Sequence, residues 1–393
     1  MKYEQLSKLY YKSREEYEET YNTRFAEGIK LGIMINGNPA FYVQDVEVYK
    51  KIISIQRINE HILEICQKLP PAALHRYADK CLIEEIVITN EIEGVQSTHK
   101  EIEEVLSDLE QKNKRHRFHG LVNKYRMLND RETIELSSSK DVRALYNELV
   151  AAEIAEQEPS NLPDGELFRK ETVKVIAPTQ ETVHVGVMPE RAIIEAMDKA
   201  LGYLNDDKED IIIRTAVFHY LFGYIHPFYD GNGRLSRFIS SYMLTKVLHP
   251  LAGYTLSYVI KDDINSYYKA FKACNAKLNE GDITPFIIMF VDVIEKACLQ
   301  IDEDLLQKEI ALQYLYKKTN ELTEDGKLQK LFHILIQATL FSSSGAQTEE
   351  LLSIFDVSRP TLNKRLSTIR DKGLLDEKMT DRAKYYKLRI DRL

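Results

Sequence analysis

The run "IIIRTAVFHYLFGYI", from Ile211 to Ile225, constrains this chain more than any other stretch. Its apolar residues cover nearly the whole circumference of a helix instead of one stripe, so the helix is stable only when other elements surround it. It is therefore expected at the centre of a helical bundle. The rest of the sequence agrees, with mostly helical periodicity and few clean alternating strands. At 393 residues the chain can form two or three domains. Its 44% apolar and 29% charged content fits an ordinary protein with real cores.

Directly after this helix comes "HPFYDGNGRLSRF", from His226 to Phe238. Gly231 and Gly233 let a loop turn its backbone N–H groups toward one point, because glycine tolerates positive φ. A second helix, expected from about Arg234 to Val247, adds its own free N–H groups, and together they make an anion cradle suited to phosphate. Arg234 and Arg237 are three apart and share the first turn of that helix. Two guanidiniums beside such a cradle suit a polyphosphate better than a single carboxylate. Asp230 offers a hard oxygen to Mg²⁺, which binds through one carboxylate, phosphate oxygens and water. His226 can take a proton from a hydroxyl near neutral pH. Each feature alone has a bland explanation: "DGNG" is a common turn, a lone histidine at a helix end is often structural, and paired arginines often make surface ion pairs. Together, at fixed offsets, they favour catalysis. A transition-metal pair of His226 and Asp230 is the other chemistry, but no further His or carboxylate stands at ligand spacing.

"HPFYDGNGRLSR" resembles the signature of the Fic family, His-x-Phe-x-Asp/Glu-Gly-Asn-Gly-Arg-x-x-Arg, with every defining position filled. The resemblance of the surrounding chain extends roughly over residues 1–300. It implies transfer of AMP from ATP to a Ser, Thr or Tyr hydroxyl of a target protein, or of the enzyme itself, with release of pyrophosphate. His226 would be the general base and Asp230 would hold Mg²⁺ between the α- and β-phosphates. Gly231, Asn232 and Gly233 would line the anion nest, Arg234 and Arg237 would hold the β- and γ-phosphates, and Phe228 would anchor the loop.

Other segments extend the resemblance. Val173, Val175, Val183, Val185 and Val187 alternate around "APTQ" as in a hairpin. That hairpin is similar to the family's flap, with Val185, Gly186, Val187 and Met188 over the nucleotide. An ordinary hairpin with a solvated face is the plain alternative. "YYKAFKACN" is similar to the adenosine-contacting segment, through Tyr267 or Tyr268 and Asn275; a core helix with packed tyrosines explains it equally well. "TNEIEG", Thr89 to Gly94, follows the apolar "CLIEEIVI" and resembles the family's inhibitory motif, with Gly94 as a helix C-cap. It implies that Glu93 pairs with Arg237 through a bidentate contact and keeps that arginine from the γ-phosphate. Otherwise Glu93 is one more surface glutamate beside Glu84, Glu85 and Glu91. Whether such a glutamate regulates transfer or supports removal of AMP is left open.

Towards the C-terminus, "ELTEDGK" (321–327) reads as a linker. "QTEELLSIFDVSRPTLNKRLSTIRDKGLL" places two short helices around a turn, with Ser358 as cap and Pro360 in the first turn of the second. Leu362, Leu366 and Ile369 share one face, and "DEKMTDRAKYYKL" alternates like a small hairpin, giving a winged helix-turn-helix pattern. Net charge is −8, but Arg359–Leu393 carries eleven Lys/Arg against five Asp/Glu, a local +6 that leaves −14 for the remainder. DNA contact through Arg359, Asn363, Lys364, Arg365 and Arg370 and protein contact are both open, as is a homodimer. "NKRHRFHG" (113–120) reads as a solvated basic connection. "NGNPAFYV" is a turn signal leading into a short extended segment. Glu47–Lys112 reads as amphipathic helices broken at "LPPAAL", with Pro71 suited to a helix start.

The four cysteines (Cys66, Cys81, Cys274, Cys298) form no CxxC pair or zinc spacing. Buried free thiols and a cytoplasmic location are expected. No apolar run approaches the ~20 residues needed to span a bilayer. The expected fold is mainly α: a Fic-type helical bundle with a small β-hairpin flap, plus the C-terminal winged helix-turn-helix domain. The expected divisions are 1–112, with an inhibitory helix at about 80–94, then 113–300, 301–326 and 327–393.

Overall fold

A computed structural model describes residues 3–109, 117–130, 132–176, 182–380 and 383–393. The chain forms two compact units, one of residues 1–59 with 82–299, the other of residues 60–81 with 300–393. In chain order the elements are α1 (Leu6–Lys12), α2 (Arg14–Glu27), β1 (Ile29–Ile35), β2 (Asn38–Tyr42), α3 (Val46–Lys68) and α4 (Pro71–Ile92). There follow α5 (His99–Leu109), α6 (His119–Asn129), α7 (Ser139–Tyr146), a π-helical turn (Asn147–Ala151) and α8 (Ala152–Gln157). The first unit then adds β3 (Lys174–Ile176), β4 (Thr182–Val185), α9 (Glu190–Asn205), α10 (Ile211–Ile225), α11 (Asn232–Thr245), α12 (Pro250–Gly253), α13 (Leu256–Asp262), α14 (Ile264–Cys274) and the start of α15 (Thr284–Glu321).

α10 lies in the core, as its all-round apolar sequence requires. Twelve of its fifteen residues are buried. Asp210 caps its start by accepting the Ile212 N–H at 2.8 Å. α9 and α11 pack on it. The turn signal at Asn36–Gly37 produces the β1–β2 hairpin, with both residues at positive φ (49° and 90°). The expected helices appear over 46–68, 71–92 and 99–109, with Pro71 at the start of α4. β3 and β4 pair antiparallel, Lys174 opposite Val185 and Val175 opposite His184. The "APTQ" turn expected there lies outside the described residues, as does the first half of "NKRHRFHG", residues 113–116.

The second unit contains α16 (Gly326–Phe341), β5 (Ala346–Gln347), α17 (Thr348–Phe355), α18 (Arg359–Asp371), β6 (Leu375–Met379) and β7 (Lys384–Leu388). Its sheet has the order β5–β7–β6 and is antiparallel throughout. Leu362, Leu366 and Ile369 are fully buried, as their spacing on α18 predicts. Ser358 occupies the N-cap position, but its hydroxyl meets the Thr361 hydroxyl at 3.0 Å and makes no cap bond to the backbone. Within this unit Tyr77 donates to Asp304 at 2.7 Å, and Arg76 pairs with Glu350. Cys66, Cys274 and Cys298 are buried and outside any disulfide, while Cys81 is half-buried. Among the described residues no helix is long and apolar enough to cross a membrane.

Candidate active site

α10 ends at Ile225, and His226 takes the left-handed conformation (φ 52°, ψ 63°) with its N–H on the Phe222 carbonyl at 2.9 Å. Pro227 cannot continue the helix, so the chain leaves here. His226 as a residue is half-buried, and its Nδ1 is buried without a hydrogen-bond partner among the described residues. Burial, reinforced by His184, pushes its pKa down to about 4. The imidazole is therefore neutral at physiological pH and free to accept a proton. Phe228 is fully buried and stacks on Tyr146, with centroids 3.9 Å apart.

The second half of the loop turns on Gly231, which has φ 80° and precedes the first turn of α11. A Cβ there would lie 2.9 Å from Val150 Cγ2. Asn232, expected to line the anion nest, turns its side chain back into the loop. Its Oδ1 accepts the Phe228 N–H at 3.0 Å and its Nδ2 donates to the Phe228 carbonyl at 2.8 Å. Both ends of the amide are thus spent on holding the loop closed.

Arg234 is 1% exposed and donates through Nη1 to Glu153 Oε2 at 2.6 Å. Its Nε and Nη2 are buried without a hydrogen-bond partner. Such donors are costly unless something accepts from them, and a phosphate oxygen would do so with a charge-assisted bond. Asp230 Oδ1 stands 3.6 Å from Nη2. Burial raises the Asp230 pKa, against the pull of Arg234. Asp230, Glu153, Arg117, Gly94 and Val95 line a cleft of about 470 Å³. Glu153 and Arg117 were not anticipated. Arg117 sits in the basic connection read as solvated, yet it donates to Glu153 Oε1 at 3.3 Å.

Arg237 is also 1% exposed but faces α4. Its Nε donates to Thr89 Oγ1 at 2.7 Å, and its Nη2 donates to the Thr89 carbonyl and to Glu93 Oε1, each at 2.9 Å. The bidentate pair expected from the sequence is corrected: one guanidinium nitrogen meets Glu93, and Thr89 takes the rest of the contact. α4 closes in a Schellman motif. The Gly94 N–H bonds the Glu91 carbonyl at 3.0 Å and the Val95 N–H bonds the Asn90 carbonyl at 2.9 Å, with Gly94 at φ 74°. That cap lays the Glu93 carboxylate on the first turn of α11. A Cβ on Gly233 would fall 2.0 Å from Glu93 Oε1. Of the other glutamates on α4, Glu84 and Glu91 are exposed enough to pair with His99 and Lys261, whereas Glu85 is fully buried.

The segment after β4 is joined to the end of α10. Val187 donates to the Ile225 carbonyl at 3.1 Å, and Gly186 donates to the Val173 carbonyl at 3.0 Å. Those backbone groups are already used, while the Val185 and Met188 side chains remain exposed. The tyrosine pair divides. Tyr267 is buried with its hydroxyl 2.7 Å from His219 Nε2 and its ring against Phe271 and Phe286, so the core-helix alternative describes it. Tyr268 is half-buried, and burial raises its hydroxyl pKa, with Glu93 acting in the same direction and Arg237 against it. Asn275 Oδ1 accepts from Tyr220 at 2.6 Å, leaving a buried Nδ2 without a partner. Arg169, which carried no sequence signal, is fully buried beside His226. Among the described residues no group of three or more His, Cys, Asp or Glu could hold a metal by itself.

A helical bundle that sets an imidazole, a carboxylate and two buried guanidiniums around one glycine-bearing loop has the donor chemistry that suits an anion. Residues 136–244 match the Fic/DOC family model. A protein adenylyltransferase Fic of Drosophila yakuba is 41% identical over 82 residues, 21% of this chain and 15% of that protein. The Drosophila persimilis protein of the same name is 33% identical over 142 residues, 34% of this chain and 26% of that protein. The chain thus spans about a quarter or less of these curated relatives' length. A Fic family protein from Desulfovibrio desulfuricans G20 shares the fold, with a TM-score of 0.53 and 20% identity over 88% of this chain and 97% of that one.

Proposed function

We propose that this chain transfers AMP from ATP to a Ser, Thr or Tyr hydroxyl of a target protein and of itself, and that Glu93 holds the activity low. The carrying observation is a neutral imidazole one loop ahead of an anion cradle whose Arg234 retains two buried N–H groups without acceptors. His226 takes the hydroxyl proton. The oxygen forms a bond to the α-phosphorus, the bond from that phosphorus to the bridging oxygen breaks, and pyrophosphate leaves. Arg234 supplies donors to the departing phosphates, and the start of α11 supplies backbone N–H groups. The single half-exposed carboxylate of Asp230 fits Mg²⁺ held jointly with phosphate oxygens and water. When bound, the ion would neutralise phosphate charge. Tyr268 and the Nδ2 of Asn275 are the groups offered to the nucleoside, and Val185 and Met188 are those offered to a target segment that pairs along the flap.

Glu93 opposes transfer in two ways. It occupies a nitrogen of Arg237, and it sets a negative charge over the first turn of α11 where a phosphate would rest. Glu93→Gly is expected to raise AMP self-labelling at least tenfold, read by mass spectrometry after incubation with ATP and Mg²⁺. His226→Ala in that background is expected to abolish the gain of one AMP while leaving ATP binding within a few-fold. Unchanged labelling by the Glu93 variant would dispose of the brake, and surviving transfer in the His226 variant would dispose of the base.

The second unit is proposed as a winged helix that contacts duplex DNA or a protein, supported by the arrangement of α17, α18 and the β6–β7 hairpin and by the local +6 charge.

A further inference from the structure

We propose that Arg169 is a positioning residue that binds the flap and the catalytic base into one rigid piece and holds His226 in its left-handed conformation. The proposal rests on the reading of His226 as the base. Arg169 is fully buried and, among the described residues, none of its hydrogen bonds goes to a carboxylate. Its donors go instead to backbone carbonyls and one thioether, on two sides. Towards the base, Nε donates to the His226 carbonyl at 2.8 Å and Nη2 reaches the Ile225 carbonyl at 3.4 Å. Towards the flap, Nη2 donates to the Val187 carbonyl at 3.0 Å and Nη1 to the Glu171 carbonyl at 2.7 Å and Met188 Sδ at 3.1 Å.

The planar fork of a guanidinium can serve two chain segments at once, which an ammonium cannot match. A buried cation without a counter-ion is unfavourable, so its place here needs a compensating task. Gly186 shows how close the approach is: a Cβ there would fall 2.3 Å from Arg169 Nη2 and 3.2 Å from His226 Cβ. A target segment that pairs with β4 is thereby registered against the imidazole through one side chain.

The same charge has an electrostatic consequence at the base. The charged or titratable groups acting on the imidazole are His184 from β4, Glu93 from the end of α4, and Arg169. Burial is the largest cause of its lowered pKa; His184 and Arg169 act in the same direction and Glu93 opposes them. Removing the Arg169 charge raises the pKa of the imidazole, and activity that needs a neutral base is then lost at a higher pH as the solution is acidified.

The test uses the full chain in the Glu93→Gly background, with Arg169→Gln and Arg169→Lys. Arg169→Gln is expected to lower kcat for self-labelling about 10–100-fold with KM for ATP unchanged. It is also expected to move the acid limb of the pH–rate profile, and the His226 titration followed by NMR, upward by about one pH unit. Arg169→Lys is expected to lose rate but keep the acid limb in place. Self-labelling within twofold of the parent in either variant, or an unmoved His226 titration in Arg169→Gln, overturns the proposal. If Arg169→Gln does not fold, Arg169→Lys decides alone, a lowered kcat supporting and a parental kcat refuting. Absence of AMP transfer in the Glu93→Gly parent would remove the proposed function instead, and the NMR titration would still report on Arg169.

Discussion

Glu85, Thr89 and Glu93 succeed one another at intervals of four along α4 and its cap, so they line one face. Thr89 and Glu93 hold Arg237, while Glu85 is wholly buried and accepts the Ser257 N–H at 2.9 Å, the Ser257 hydroxyl at 2.5 Å and the Tyr125 hydroxyl at 3.3 Å. Burial raises its pKa to about 7, and the Ser257 bonds only partly offset this. A carboxyl with a raised folded-state pKa binds its proton more tightly in the native chain than in the unfolded one. Stability therefore falls as pH rises from its unfolded value, about 4.3, through 7. Glu85→Gln is expected to melt several degrees above the parent at pH 8 and within about a degree of it at pH 5, as measured by calorimetry. The sequence shows four similar glutamates on this stretch, and helical phase gives them different fates. Composition and motif spacing do not reveal which phase faces inward, because that is set by α6, α11 and α13.

At the scale of the element, the end of α4 decides where Glu93 points. Gly94 has φ 74° with nothing within 4 Å of an added Cβ, so a side chain there meets no steric clash but a strained backbone. Gly94→Ala is expected to cost about 1 kcal/mol of cap stability and to raise self-labelling roughly fivefold through a less firmly held Glu93, short of the gain from Glu93→Gly. Labelling at the parental level would show that the cap does not set the brake. The helix ends themselves were legible, because Gly94, Pro71 and Gly231 punctuate the chain locally. The loop's internal economy was not. The motif places Asn232 in the nest, but it does not reveal that the closed turn consumes both ends of its amide. Arg234's partner Glu153 lies 81 residues away and Arg169's partner His226 lies 57 residues away, separations at which no local pattern marks a pair.

At the scale of the molecule, the two units are built from interleaved segments, and their limits fall inside α3, α4 and α15. Reading along the chain suggests consecutive blocks, because composition and linkers report only on neighbours in sequence. The second unit includes residues 60–81, which supply Tyr77 to Asp304 and Phe341, and Arg76 to Glu350. A fragment of residues 327–393 lacks these partners. It is expected to lose cooperative unfolding or to melt well below the second transition of the full chain, as followed by circular dichroism. A fragment that melts like the full chain would show that 60–81 contributes nothing to that unit. Duplex affinity is then best measured on the whole protein across a salt series.

Thr89 gives Arg237 a second mooring that does not depend on Glu93. A signal that swings the carboxylate aside leaves the guanidinium already oriented by a hydroxyl and a carbonyl, so the cation need not be rebuilt before nucleotide arrives. Under the proposed brake, activation requires the rotation of one acidic side chain and not the melting of a helix.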